Sequence, residues 1–90
     1  WRESFARLAK KARIPHMDRC LIVATPHLSD NRLQDTGACF PAVKAAIDGL
    51  VDAGVLDDDG PEHVTELRFF RPVGKSDLGN ALVVEIHRLA

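Results

Sequence analysis

The sequence predicts an α+β domain: a small mixed β-sheet with helices packed on one face, in the order helix, strand, helix, strand, strand. Three observations lead there. Apolar residues recur at helical spacing within residues 1–12 and 43–51. A β-branched run, CLIVAT, stands between those segments, and two further runs, HVTELRFFR and ALVVEIHRL, close the chain. Ninety residues supply one modest core, so the elements belong to a single domain spanning 1–90.

Each element has its own reason. Trp1, Phe5, Leu8, Ala9 and Ala12 share one side of a helix, with Arg2, Glu3, Arg7, Lys10 and Lys11 on the other faces. That helix ends near Ile14-Pro15, because a residue before proline resists the helical region. Residues 20–25 read as a buried strand closed by Pro26, and residues 27–39, polar and aperiodic, as a loop. Pro41 suits the first turn of a second helix, where its missing N–H costs little. Val43, Ala46, Ile47, Leu50 and Val51 form that helix's apolar stripe, while Lys44, Asp48 and Asp52 recur every four residues, within pairing range. Gly54 fits the left-handed position after the helix, with Val55 and Leu56 as hydrophobic closure. An acidic turn, Asp57-Asp58-Asp59-Gly60-Pro61, follows. Residues 63–71 read as a strand with Val64, Leu67 and Phe69 on mixed faces, and Phe69 and Phe70 pointing to opposite sides. Residues 72–80, with Gly74, Gly79 and Asn80, read as a hairpin connection into the last strand, 81–89.

Composition sets limits on function. A chain 46% hydrophobic and 28% charged is globular rather than disordered. No apolar run approaches the roughly 20 residues of a membrane span, and the opening residues lack the apolar stretch of a signal peptide. The expected location is therefore the cytoplasm. Cys20 and Cys39 lack metal-binding spacing and read as small packing residues in a reducing compartment, with a disulfide between them left open. Charge is unevenly spread. Residues 1–34 carry seven Lys/Arg against three acids, residues 35–66 one lysine against eight acids, and residues 67–90 four bases against two acids. A uniformly basic nucleic-acid binder does not look like this. A nuclease with an acidic metal pocket between basic flanks does, and so does a protein with no nucleic-acid partner.

The acids are the candidate chemistry. Phosphodiester hydrolysis uses a metal to polarise phosphate and activate water, and hard carboxylate oxygens are the ligands Mg²⁺ prefers. Asp35, Asp58 and Asp59 are candidate ligands, and Lys44 can stabilise charge on the phosphoryl group. A helix running from Pro41 to Asp57 would hold the flanking loops about 25 Å apart. Either the strand leading into Asp35 runs beside the helix, or a partner subunit brings its own acids. The plainer alternatives are a solvated turn for the acids and an i,i+4 pair with Asp48 for Lys44. The four histidines show no ligand spacing and read as surface or strand residues.

These motifs in this order resemble the RusA family of crossover-junction endodeoxyribonucleases. The resemblance runs through residues 18–90 and is carried by HLSDNRLQD, then KAAID, then DAGVLDDD. The stretch FPAVKAAIDGLVDAGVLDDD is most similar to a phage and actinobacterial branch. The resemblance implies a RusA-like domain whose N-terminal family strand is absent from these 90 residues. It implies a homodimer that cleaves Holliday junctions or branched DNA with Mg²⁺, or Mn²⁺ in its place. Asp35 then matches the family's first acid, Lys44 its helix lysine, and Asp58 with Asp59 its acidic pair. Arg32 is what remains of the family's basic run, and Lys10 and Lys11 are further candidates for phosphate contact. Gly37 and Ala38 stand where the family motif has an acid and an asparagine. A catalytically decayed relative, used as a DNA-binding or protein-binding module, is the alternative.

Overall fold

The computed structural model describes residues 2–30 and 38–89. It contains helix α1 (Arg2–Lys11), strand β1 (Cys20–His27), helix α2 (Phe40–Asp52), strand β2 (Val64–Phe69) and strand β3 (Ala81–Arg88). This is the expected α+β order. Trp1, Arg32 and Asp35 lie outside the described residues.

The sheet has the order β2-β1-β3, with β1 parallel to β2 and antiparallel to β3. Residues 72–80 are therefore not a hairpin connection, because β2 and β3 do not pair. The connection instead crosses the end of β1, where Val73 donates to the Pro26 carbonyl and accepts from Leu28 N–H. Side-chain chemistry explains the order. The uncharged run of β1 belongs at the centre, whereas β2 carries Glu66 and Arg68 and β3 carries Glu85, His87 and Arg88, as edge strands do.

Two further corrections follow from that arrangement. Pro26 does not close β1, which continues to His27 opposite Ala81. The backbone of Ala24 faces β2, so that of Pro26, two residues on, faces the same side. Strand β2 has already ended at Phe69, so the missing N–H of Pro26 breaks no ladder bond. Nor do Val64, Leu67 and Phe69 occupy mixed faces. A bulge near Thr65 shifts the register between Cys20 and Leu21, and all three side chains pack against the core. Phe70 is exposed, as alternation requires.

Cys20, Ile22 and Ala24 of β1 are fully buried beneath the helices, together with Val43 of α2. The two helices meet at Gly49. A Cβ there would lie 2.8 Å from Ala6 N, Arg2 O and Phe5 Cβ, so only glycine permits this backbone approach. Arg2 clamps the crossing through Nε and Nη2, at 2.5 and 2.7 Å from the two Asp52 carboxylate oxygens. That guanidinium holds the Asp52 carboxyl below its usual range.

Helix α2 ends as its sequence predicts. Gly54 sits at φ 79°, its N–H bonds to Val51 O, and Val55 N–H bonds to Leu50 O. This paired closure turns the chain sharply. Val55 and Leu56, each 1% exposed, then drive the returning segment into the core.

Candidate functional site

That return lays the acidic turn beside α2. Asp59 does not stay beyond the far end of α2. The chain doubles back until its carboxylate pairs with Lys44, fifteen residues earlier and two helical turns before Asp52. Lys44 projects outward because Val43, Ala46, Ile47 and Leu50 face the core. Its ammonium also donates to Asp48 Oδ1 at 2.9 Å, the expected i,i+4 pair. Asp58 Oδ1 accepts from the Asp59 backbone N–H at 2.7 Å, fixing the turn locally. Lys44 and Asp59 are thus brought into contact, with Asp58 next along the turn, whereas the place of Asp35 relative to them lies outside the described residues.

The electrostatics follow from these contacts. The hydrogen bond from Lys44, then the one with Asp58, holds the Asp59 carboxyl below its usual range. Asp59, then Asp48, raises the Lys44 ammonium above its own. All of these groups are at least partly solvated, so the cluster is an accessible ionic surface rather than a buried charge network. Beside it lies an open hollow of about 360 Å³, lined in part by Phe40, Lys44, Asp59 and Leu67. Phe40 is half exposed, its ring 6.1 Å from that of Phe69 and tilted by 39°. Lys10 and Lys11 are exposed on the last turn of α1, and Lys10 lies close enough to Asp52 to favour its ionised form.

Among the described residues, one group of three side chains could hold a metal ion, and it was not read from sequence. His16 and Asp18, before β1, meet Asp57 of the acidic turn, with ligand atoms within 4.8 Å of one another. His16 Nε2 and Asp57 Oδ1 are 3.1 Å apart. The only sequence signal was the His16-Met17-Asp18 spacing, which places two ligand types two residues apart. Asp57 lies too far along the chain for spacing to reveal it. Cys20 and Cys39 are free thiols, and burial pushes both upward in pKa. No helix among the described residues is long and apolar enough to cross a membrane.

The fold and this surface define a small α+β domain with an exposed lysine–carboxylate cluster. Comparison with known proteins finds no family model and no characterised sequence that matches the chain.

Proposed function

We propose that the protein is a RusA-like, Mg²⁺-dependent endodeoxyribonuclease that resolves Holliday junctions or other branched DNA. Its setting is phage or prophage recombination and repair in the cytoplasm of a bacterial host. The observation that carries this reading is the pairing of Lys44 with Asp59, fifteen residues later, on an accessible surface where Asp58 is the neighbouring acid. Asp58 and Asp59 offer adjacent hard oxygens suited to Mg²⁺ or Mn²⁺, with Asp35 as the third carboxylate. The metal would supply polarisation of the phosphate and a more acidic water. Lys44 stabilises negative charge on the phosphoryl oxygens and is held in place by Asp48 when Asp59 turns to an ion. A homodimer presents two such surfaces, which suits paired nicking of a four-way junction. Arg32, Lys10 and Lys11 contact the phosphate backbone, so affinity falls steeply with salt.

The test is a cleavage assay on a synthetic four-way junction with purified protein and Mg²⁺. Metal-dependent nicking that Asp59→Asn abolishes is the expected result. Absence of nicking with both Mg²⁺ and Mn²⁺ would overturn the reading.

A second reading has its own observation. Lys44 is already satisfied by two carboxylates, and that pairing closes the turn without any ion. A decayed RusA-like module that binds DNA or protein keeps such a clasp for stability alone. It predicts no Mg²⁺- or Mn²⁺-dependent rise in melting temperature, whereas a working acid cluster gains stability on binding.

A further inference from the structure

We propose that His16, Asp18 and Asp57 form a second metal site, for a first-row divalent ion of the zinc class, separate from the Mg²⁺ surface at Lys44. The donor set is one imidazole nitrogen and two carboxylates, with all ligand atoms within 4.8 Å. Imidazole favours zinc and its neighbours over Mg²⁺, which prefers an all-oxygen shell with retained waters. Zinc bonds of about 2.0–2.2 Å require the donors to close to about 3.4 Å. His16 and Asp57 already stand at 3.1 Å as a hydrogen-bonded pair, so binding shifts the Nε2 proton to Nδ1 or to solvent and swings Asp18 inward.

Three independent features go beyond a chance meeting of exposed side chains. The backbone that presents His16 and Asp18 is pinned on three sides. Met17 N–H donates to Val55 O at 2.9 Å, tying the His16–Asp18 loop to the segment that leads into Asp57. Arg88 Nη2 donates to the His16 carbonyl, and His63 Nδ1 lies 2.8 Å from the Asp18 carbonyl. His16 and Asp18 therefore reach an ion without moving the backbone. Second, the Asp18 carboxylate accepts no hydrogen bond from a described residue, although it faces Asp57 across the group. Two like charges held this close gain from a shared cation. Third, a polar hollow of about 270 Å³ opens beside the group, lined by His16, Met17, Asp18, Arg88 and Leu89. Three protein donors with an accessible fourth position are the arrangement of an open zinc site, the fourth place taken by water or a small anion facing Arg88.

The site joins the loop before β1 to the turn before β2, so an ion there fastens both segments across the end of the sheet. It does not depend on the nuclease reading, because its readout is zinc binding rather than cleavage. Isothermal titration of the untagged protein with Zn²⁺ alone is the primary experiment, with Co²⁺ absorption as the spectroscopic check. One equivalent is expected to bind, with at least about tenfold weaker affinity in each of His16→Ala, Asp18→Asn and Asp57→Asn. Asp59→Asn and Lys44→Ala should leave Zn²⁺ affinity within about twofold, because neither side chain belongs to this donor set. His16 and Asp57 are exposed, so their variants keep the fold, which circular dichroism verifies. Unchanged affinity in His16→Ala overturns the proposal. So does binding that disappears in Cys39→Ser instead, or an absence of saturable Zn²⁺ binding.

Discussion

Asp57 and Asp59 stand two residues apart on one turn, yet their carboxylates meet opposite company. Asp59 takes the ammonium of a helix lysine that is also paired with Asp48. Asp57 takes an imidazole and faces a second carboxylate, Asp18. On the lysine side two carboxylates share one ammonium, so a metal arriving there competes with that ammonium. On the histidine side, an ion displaces the His16–Asp57 hydrogen bond but no ammonium or guanidinium of a described residue. A run of three acids is therefore not one site. What each carboxylate can do is set by the segment that the fold lays against it.

The comparison breaks most completely if the turn itself is released. Leu56 is 1% exposed and carries the chain back along α2 toward Lys44 and His16. Leu56→Ala is expected to cost about 3–4 kcal/mol through lost burial and a residual cavity. Urea denaturation measures that loss, and both neighbourhoods should loosen together because they share this anchor. A variant that lost stability but kept zinc affinity intact would show that the histidine side is held from elsewhere.

Next in size is a separation of the two sides by function. If the proposed nuclease reading holds, Lys44→Ala lowers Mg²⁺-dependent nicking by about 100-fold, the scale for losing one preorganised charge stabiliser. His16→Ala should leave nicking within about twofold, because His16 lies in neither the lysine cluster nor its hollow. Kinetics on one junction substrate at fixed salt give both numbers. Equal losses from the two variants would merge the two neighbourhoods into one.

How much of this was legible in the sequence depends on distance along the chain. All five elements could be read from periodicity and turn residues, and Gly54 announced the closure that makes the return possible. The Lys44–Asp48 pair was legible because i,i+4 spacing is a property of any helix. The meeting of Lys44 with Asp59 was legible only as a requirement, since a helix drawn from Pro41 to Asp57 points the other way. Ending the helix at Asp52 and reversing at Gly54 supplied what that straight line lacked. The strand order was hidden because β2 and β3 adjoin in sequence, and only their charges mark them as edges. The bulge near Thr65 was hidden as well, because simple alternation assigns Val64 and Leu67 to opposite faces. Gly49 looked like an ordinary weak point in a helix. Its reason is the backbone of α1, which no local pattern records.

That seam gives a third test. Gly49→Ala improves helix propensity by up to about 1 kcal/mol. The added methyl, however, meets Ala6 N and Arg2 O at 2.8 Å, both backbone atoms that cannot rotate away. Forced separation of packed elements typically costs about 1–3 kcal/mol, so a net loss of stability is expected in thermal denaturation. Lys44 rides on α2, whereas His16 and Asp18 follow α1, so a shifted seam should disturb their relation through Asp57 and Asp59. A neutral or stabilised Gly49→Ala would mean that the helices tolerate a wider crossing.

The smallest expected effect tests the charge balance of the lysine side directly. Asp59 is held below the ordinary carboxylate range by Lys44, and Asp52 by Arg2. A carboxyl depressed in the folded state binds protons less readily there than in the unfolded chain, whose Asp titrates near about 3.9. Its contribution is present above that value and is lost as pH falls through the depressed native one. Lys44 works in the other direction: its raised ammonium contributes fully below the unfolded value of about 10.4 and loses that contribution as pH rises through the native one. Lys44→Met should therefore reduce stability modestly at neutral pH, and its gap from wild type should close below about pH 4. Arg2→Met should show the same closing gap through Asp52. Because these pairs are exposed, both gaps should also shrink in molar salt. A Lys44→Met gap that persisted unchanged in acid would mean that the lysine acts through its aliphatic stem in the hollow beside Phe40, and the charge contrast between Asp59 and Asp57 would lose its basis.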